Sequence, residues 1–146
     1  MRPRPDNAGP TLAWWRGRVA KQLTAAEVPA LLRPGMTVYV QGSTGEPGAL
    51  LEALALAPEK SDGVDYLGCF LPGVNRVNPA ALHPGASHTG FFVHGSFAET
   101  RAEGRMRFLP LHYSAIYDYL AGLESVDVVM LQVSPPNAAG QCSLGM

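Results

Sequence analysis

Residues 36–57, with the sequence MTVYVQGSTGEPGALLEALALA, decide the fold. The first six residues are mostly β-branched or aromatic and predict a strand. Residues 47–57 begin with a proline and place leucines along one side of a helix, so this segment is predicted to be helical. The glycine-rich segment 42–48 is therefore a strand-to-helix loop, the kind of loop at which open parallel sheets bind ligands.

The same alternation of strands and helices continues toward the C terminus. Further strands are predicted at 64–70, 89–93, 106–109 and 126–133, and further helices at 96–103 and 113–120. The last strand, VDVVMLQV, is apolar almost throughout, as expected of a strand covered on both faces. This order predicts the α/β class: an open, mostly parallel sheet with helices on both faces.

Upstream of this region, the sequence predicts a flexible arm followed by the folded domain. Residues 1–10 offer prolines and polar groups but nothing to bury, so we expect a flexible N-terminal arm and one α/β domain over 11–146. A helix is expected to begin at Thr11. A second begins at Thr24, where T-A-A-E has the pattern of a capping box, and ends near residues 33–35.

The composition excludes several classes of protein. The 146 residues carry 11 Lys and Arg against 12 Asp and Glu, and this formal net charge of −1 does not fit a nucleic-acid-binding protein. The chain has no apolar run of about 18 residues that would predict a membrane span, and no apolar signal segment at its start, so a cytoplasmic protein is expected. Only 16% of the residues are charged, which indicates either that the surface is unusually neutral or that part of it is covered.

The cysteines, histidines and paired glutamates form no known catalytic or metal-binding pattern. Cys69 and Cys142 make neither a C-x-x-C pair nor a disulfide framework and are predicted to be small buried hydrophobic residues. Glu99 and Glu103 are expected to face water. Histidine spacings of 5, 6 and 18 fit no zinc motif, so we expect no metal and assign surface or hydrogen-bonded loop positions to His83, His88, His94 and His112.

The loop at 42–48 is the first candidate site. Its backbone amides and the start of the following helix can bind an anion or a carbonyl oxygen. Its glycines are spaced three apart, which matches neither G-x-G-x-x-G nor the phosphate-binding P-loop. The alternative interpretation is a tight turn that needs positive φ angles and close helix–strand contact. The negative charge of Glu46 would repel a bound phosphate, although an acidic residue at a helix start also interacts favourably with the helix dipole.

The loop after the last strand, residues 132–145, is the other informative segment. Two prolines fix an extended exit from the strand, 137–140 suits a turn, and 141–144 is expected to return as a short strand. A rigid turn accounts for this composition. Cys142 and Ser143 are poor candidates for a nucleophile because no G-x-S-x-G elbow surrounds the serine.

Three segments together resemble a known family. They are GSTGEP after the first strand, AEGRMRFLPLHYS at 102–114, and LQVSPPNAAGQCSLG at 131–145. In this order they are similar to the N-terminal half of the acetyl-CoA hydrolase/transferase family, of the 4-hydroxybutyrate and butyrate CoA-transferase type. The resemblance runs from about Trp14 to the last residue. One departure is Asn137, where the family commonly has aspartate.

The resemblance implies an activity and a set of partners. Family members move CoA between a short-chain acyl-CoA and a carboxylic acid of the acetate, butyrate or 4-hydroxybutyrate class, through a glutamyl intermediate. That glutamate lies in the family's C-terminal half, so no catalytic residue is expected in this chain, and the chain alone is expected to be inactive. Coenzyme A is then a substrate, with no permanently bound cofactor. The residues expected to bind substrate or coenzyme A are Gly42, Ser43, Gly45, Glu46, Pro47, Ser134 and Pro135.

The resemblance also implies a C-terminal catalytic domain as a partner, in cis or in trans, and a homo-oligomer for the full-length protein. Neither nucleic acid nor a membrane is expected as a partner. One alternative is a non-catalytic accessory domain that docks on a separate catalytic chain. Another is a stand-alone enzyme such as a sugar-phosphate isomerase or phosphatase, for which the sequence offers no base or metal cluster. The low charge content further predicts that the isolated chain associates readily.

Overall fold

A computed structural model describes residues 21–144 and contains a five-stranded sheet. The strand order is β4-β3-β2-β1-β5 and every neighbouring pair is parallel. The strands are β1 (Thr37–Val40), β2 (Asp65–Gly68), β3 (Ser87–Gly90), β4 (Met106–Phe108) and β5 (Val128–Met130). The predicted open, parallel α/β fold is confirmed. The arm at 1–10 and the helix expected from Thr11 lie outside the described residues.

Within residues 21–144, three α-helices accompany the sheet: α1 (Gly48–Leu56), α2 (Ala98–Ala102) and α3 (Tyr113–Ala121). The segment after Thr24 is a 3₁₀-helix, Ala25–Leu31, because Pro29 inside it has no N–H to donate to an α-helical ladder. The predicted capping box is present, and the Glu27 carboxylate accepts from the Thr24 amide and hydroxyl at 2.8 Å each. Shorter 3₁₀-turns lie at Ser43–Gly45, Pro58–Ser61, Pro79–Ala81 and Gly95–Phe97.

The sheet separates two apolar clusters. On one face α1 packs Leu51 and Leu54 against the strands, in a cluster that also holds Val38, Val40, Tyr66, Phe70 and Phe97. On the other face the cluster is smaller and joins Leu67, Phe91 and Ile116 of α3. Helices on both faces are therefore confirmed. The apolar stripe predicted on α3 reaches the core mainly through Ile116, since the side chains of Tyr113 and Tyr117 are 68% and 70% exposed.

All five strands differ from their predicted bounds, and β3 and β5 differ most in position and length. Strand β3 begins at Ser87, two residues before the prediction, because the Ser87 hydroxyl donates to the Asp65 carboxylate of β2 at 2.8 Å and holds a polar residue in the ladder. Strand β5 has three residues and lies at the edge of the sheet, pairing with β1. Its expected coverage on both faces is wrong, since Val129 is 52% exposed.

The cysteines also depart from expectation. Cys69 is only half-buried at the end of β2, and Cys142 is exposed, so the prediction that both are buried hydrophobic residues is wrong for Cys142. Glu99 and Glu103 are exposed as expected, although Glu103 pairs with the Arg105 guanidinium. Within residues 21–144, none of the helices is long and apolar enough to cross a membrane.

Candidate functional site

A depression of about 190 Å³ lies where β1 and β2 end. Parallel strands bring their carboxyl ends to one edge of the sheet, so the loops after β1 and β2 meet there. The N-terminal turn of α3 closes the third side. We call this depression the β1–β2 pocket, and its lining residues are Tyr39, Gln41, Gly42, Ser43, Thr44, Gly45, Cys69 and Tyr113.

The glycine loop forms one wall of the pocket because its backbone passes very close to β2. A Cβ atom on Gly42 would lie 2.0 Å from the carbonyl oxygen of Cys69, which only a shift of the backbone could relieve. A Cβ on Gly45 would meet the Gln41 side chain at 2.2 Å. Both glycines therefore lie close to neighbouring groups, although neither contact is the helix–strand contact that the tight-turn interpretation requires.

The positive φ angle in this loop falls on a serine and not on a glycine. Ser43 has φ 58°, a left-handed conformation that costs a non-glycine residue roughly 1–2 kcal/mol. Gly42, by comparison, has an ordinary φ of −93°. Such a conformation persists where neighbouring contacts hold it.

A buried asparagine supplies those contacts. Asn75 is 5% exposed, and its Oδ1 accepts from the Ser43 amide at 2.9 Å and from the Leu71 amide at 2.7 Å. Its Nδ2 donates to the Ser43 carbonyl at 3.0 Å. Both backbone groups of Ser43 are therefore fixed by one side chain from the loop after β2. The sequence places Asn75 in a turn-rich segment but gives no sign of this long-range bond.

Glu46 and Pro47 follow the pocket wall and lead into α1. Pro47 is buried, and its carbonyl accepts from the Leu50 and Leu51 amides in the first turn of the helix. Glu46 is half-buried, and its Oε1 is buried without a hydrogen-bond partner among the described residues. Buried polar atoms are normally hydrogen-bonded, so this oxygen can accept a hydrogen bond from a group that binds beside it.

The loop after β5 folds back on itself. The Ser134 amide donates to the Ser143 carbonyl at 2.9 Å, and the Ser143 amide donates to the Ser134 hydroxyl at 2.8 Å. Asn137 makes the turn by accepting from the Ala139 and Gln141 amides at 3.0 and 2.9 Å. The turn is as predicted, but the returning residues 141–144 do not form a strand.

This loop approaches β1 but does not enter the β1–β2 pocket. The Gln132 amide donates to Gln41 Oε1 at 3.3 Å. The extended residues before Ser134 border a separate groove of about 250 Å³, lined by Pro47, Ala49, Leu50, Leu131, Gln132 and Val133. Of the residues expected to bind substrate, Gly42, Ser43 and Gly45 line the pocket, Glu46 and Pro47 adjoin it, and Ser134 and Pro135 do not line it.

Five pocket residues were not among those expected to bind substrate: Tyr39, Gln41, Thr44, Cys69 and Tyr113. Burial raises the pKa of Tyr39, and the neighbouring Cys69 and Tyr113 raise it further. Burial also raises the pKa of the Cys69 thiol. The thiol and the Tyr39 phenol are therefore neutral donors near pH 7, and Cys69 is not an activated thiolate.

The histidines lie outside this pocket. His88 is 1% exposed, and its ring stacks on Phe97 with centroids 4.8 Å apart. Burial, aided by nearby His94, lowers the pKa of His88 to about 4, so its ring is neutral at pH 7. The expected surface or hydrogen-bonded position is wrong for His88, whereas His94, His83 and His112 bond to Ser96, Gly85 and Ser114. Within residues 21–144, no three His, Cys, Asp or Glu side chains gather as metal ligands do.

The fold of this chain is similar to the folds of solved structures. RipA from Yersinia pestis superposes with a TM-score of 0.67 at 20% identity, over 84% of this chain and 31% of RipA. A 4-hydroxybutyrate CoA-transferase from Porphyromonas gingivalis superposes with a TM-score of 0.51 at 20% identity, over 91% of this chain and 29% of that protein. These likenesses show a shared fold.

Sequence comparison agrees with the structural one. The 4-hydroxybutyrate coenzyme A transferase of Clostridium kluyveri is 24% identical over 127 residues, which are 86% of this chain and 30% of that enzyme. No family model matches the chain. The chain therefore has a distant similarity to CoA-transferases, and it spans less than a third of the length of the proteins it matches.

Proposed function

We propose that this chain is the N-terminal part of a CoA-transferase, and that the β1–β2 pocket receives the acyl end of a short-chain acyl-CoA. The observation that carries the proposal is the pocket itself: a small depression at the carboxyl edge of a parallel sheet, in the chain that resembles the CoA-transferases. Its eight lining residues include none of the charged types Asp, Glu, Lys or Arg. An uncharged wall suits an acyl group better than the phosphates of coenzyme A.

In this proposal the chain orients the substrate and a separate domain supplies the nucleophile. A glutamate carboxylate of the C-terminal half attacks the thioester carbonyl, forming an acyl–glutamyl anhydride as the C–S bond breaks and the CoA thiolate leaves. That thiolate then attacks the glutamyl carbonyl of the anhydride, releasing the first acid and leaving a glutamyl–CoA thioester. The acceptor acid repeats the two steps in reverse. The rigid loop at 42–45 holds the acyl group in place through them.

The edge of the sheet offers a place for that second domain. In β5 and the residues that follow it, alternate residues are exposed and apolar: Val129, Leu131 and Val133 are 52%, 42% and 41% exposed. Edge strands are normally paired or covered. The C-terminal catalytic domain, in cis or in trans, is proposed to cover this edge, and the low charge content of the chain agrees with such coverage. A homo-oligomeric, cytoplasmic assembly is part of the same proposal.

Glu46 fits a positioning role in this assembly. Its unpartnered Oε1 would accept a hydrogen bond from the substrate or from the covering domain. It is not the nucleophile, because the proposed glutamyl intermediate belongs to the C-terminal half. Glu46→Gln should therefore reduce CoA transfer without abolishing it.

The decisive experiment compares the chain alone with its native assembly. The assembly is isolated through an N-terminal affinity tag and mixed with butyryl-CoA and acetate, and acetyl-CoA is measured by chromatography. We expect transfer by the assembly, none by the isolated chain, and a borohydride-reducible glutamyl thioester in a peptide outside residues 1–146. Transfer by the isolated chain, or an assembly inactive with acetate, butyrate and 4-hydroxybutyrate, would contradict the proposal.

A non-catalytic accessory domain is the second candidate. The observation that favours it is that the pocket wall holds no activated nucleophile, since burial keeps the Cys69 thiol neutral. Under this alternative the tagged chain co-purifies with a complete transferase that keeps its full activity when the chain is removed. Loss of activity on removal supports the first proposal.

A further inference from the structure

A groove beside α1 is lined almost entirely by apolar side chains. Its volume is about 250 Å³, and it lies between the first turn of α1 and the residues that follow β5. Among its lining residues, Gln132 alone has a polar side chain. We call it the α1 groove, and its lining residues are Pro47, Ala49, Leu50, Leu131, Gln132 and Val133.

Helix α1 has little polar surface of its own. Glu52 is its single charged residue, whereas Ala49, Ala55 and Leu56 are also exposed. A helix that is apolar on most of its sides is normally covered. The exposed Val129 of β5 does not line the groove, so the proposed C-terminal catalytic domain can cover the sheet edge there and leave this side of α1 to another element.

The N-terminal part of the chain passes close to this groove. The described residues begin at Lys21, and the 3₁₀-helix Ala25–Leu31 packs on α1. Its Val28 and the groove residue Leu50 pack against the same core cluster. Trp15 precedes this 3₁₀-helix by ten residues, and an extended chain of that length spans up to roughly 35 Å. Helix α1 has nine residues and is only about 14 Å long, so Trp15 can reach any point along it.

Residues 11–20, TLAWWRGRVA, have the composition of a covering segment. At helical spacing, Leu12, Trp15 and Val19 share one face. Both tryptophans of the chain belong to this segment, and a tryptophan buries about 150–250 Å² where it packs. The segment also carries two arginines and no acidic residue, a charge that complements Glu52 on α1.

The α1 groove matches one indole side chain in size and polarity. At ~30 Å³ per water-sized group, its volume holds roughly eight non-hydrogen atoms, close to the number in an indole ring. The side-chain oxygen of Gln132 can accept a hydrogen bond from the indole N–H. A buried tryptophan normally makes such a bond.

We propose that residues 11–20 dock on α1 of the same chain, with Trp15 in the α1 groove and Trp14 facing water. Pro47 lines this groove and lies two residues after Gly45 of the β1–β2 pocket, so the docked segment supports the pocket wall from the side of α1. The inference does not depend on the proposed function, because it concerns how the domain completes its own surface. A native assembly that transfers no CoA would leave it standing.

Tryptophan fluorescence of the 146-residue chain reports on this segment alone, since the chain has no other tryptophan. In Trp14→Phe, Trp15 should emit at shorter wavelength than in the urea-unfolded chain and should resist quenching by acrylamide. In Trp15→Phe, the remaining Trp14 should emit and be quenched much as in the unfolded chain. The spectra are recorded at a concentration at which sedimentation shows monomers.

Glutamate variants made in Trp14→Phe locate the docking site. Ala49→Glu places a charge in the groove, so Trp15 emission should shift toward that of the unfolded chain, with several-fold stronger quenching. Ala55→Glu is the matched control, because Ala55 is also an exposed alanine of α1 but does not line the groove. Its quenching should stay within about twofold of the parent. Val133→Glu, at an exposed residue of the opposite wall, should repeat the effect without altering α1.

Three results would overturn the inference. Trp15 emission equal to that of the unfolded chain would leave the groove to the C-terminal domain. A short-wavelength emission that appears only in associated chains would assign the groove to a second copy. Equal red shifts in Ala49→Glu and Ala55→Glu, or none in Val133→Glu, would place the segment elsewhere on the fold.

Discussion

Replacing Asn75 with alanine tests whether one buried side chain holds the pocket wall in place. The change removes three hydrogen bonds, two to the backbone of Ser43 and one from the Leu71 amide. Each neutral hydrogen bond contributes about 0.5–1.5 kcal/mol net, so the loss of unfolding free energy sums to roughly 2–4 kcal/mol. Relaxation of the left-handed Ser43 would return up to ~1–2 kcal/mol, which places the expected loss near ~2 kcal/mol.

Asn78 gives an unusually close control. It lies in the same loop, is 8% exposed, and its side chain also makes three hydrogen bonds, to the Ser96 carbonyl, the Thr100 hydroxyl and the Ala80 amide. These partners lie away from the β1–β2 pocket. Asn78→Ala should therefore lower the unfolding free energy by a similar amount, measured from urea midpoints at constant slope.

The two variants should differ at the pocket. In Asn75→Ala the loop after β1 is released, so alkylation of Cys69 by iodoacetamide should accelerate several-fold under native conditions, whereas Asn78→Ala should leave the rate within twofold. The reasoning is refuted if both variants accelerate Cys69 alkylation equally, or if Asn75→Ala lowers the unfolding free energy by less than about 0.5 kcal/mol.

Three further predictions follow from other parts of the fold. Gly42→Ala should destabilise the chain by about 3 kcal/mol in thermal unfolding, because its Cβ would overlap the Cys69 carbonyl, while Gly48→Ala, which meets nothing within 4 Å, should be neutral or stabilising; equal effects would exclude the overlap. The pKa of His88 is about 4 in the folded protein, below the ~6.5 of the unfolded chain. Its contribution to the unfolding free energy is therefore complete above pH 6.5, and at most ~3 kcal/mol is lost as the pH falls toward 4. Unfolding free energies from urea titrations should fall between pH 6.5 and pH 4, and His88→Phe should reduce that fall. An unchanged pH dependence would assign the acid sensitivity to other groups. Leu131→Glu should reduce self-association of the isolated chain in sedimentation, and Leu56→Glu, at a residue 88% exposed on α1, should not; a monomeric parent chain would contradict the exposed-edge argument.

The parts of the fold that depend on local pattern could be predicted from the sequence. The apolar spacing in 47–57 and the β-branched run at 36–41 correspond to α1 and β1, and each end differs from its prediction by one residue. The α/β class followed from the order of such segments. The start of β3 at Ser87 could not be predicted, because it depends on a hydrogen bond to Asp65 that exists only once the strands are in register.

The candidate site could likewise be predicted only where its residues lie in one local segment. Gly42, Ser43 and Gly45 were identified from a glycine-rich loop between a strand and a helix, and they do line the pocket. Tyr39, Cys69 and Tyr113 come from three different elements, so their convergence is a tertiary property without a local signal. The same holds for Asn75, whose partner Ser43 is 32 positions away. His88 was predicted to lie in a loop because its neighbours in the sequence give no sign that the rings of Phe70 and Phe97 pack against it.

The bond between Asn75 and Ser43 also determines when the conformational entropy of the pocket wall is lost. Because the Ser43 amide is bound to a side chain that belongs to the core, the wall becomes ordered as the chain folds and has little freedom left to lose when a ligand arrives. Exchange of the Ser43 amide with deuterium should then require opening of the loops after both β1 and β2 together. A ligand of the β1–β2 pocket therefore meets a preorganised surface, and its affinity is not reduced by ordering that loop.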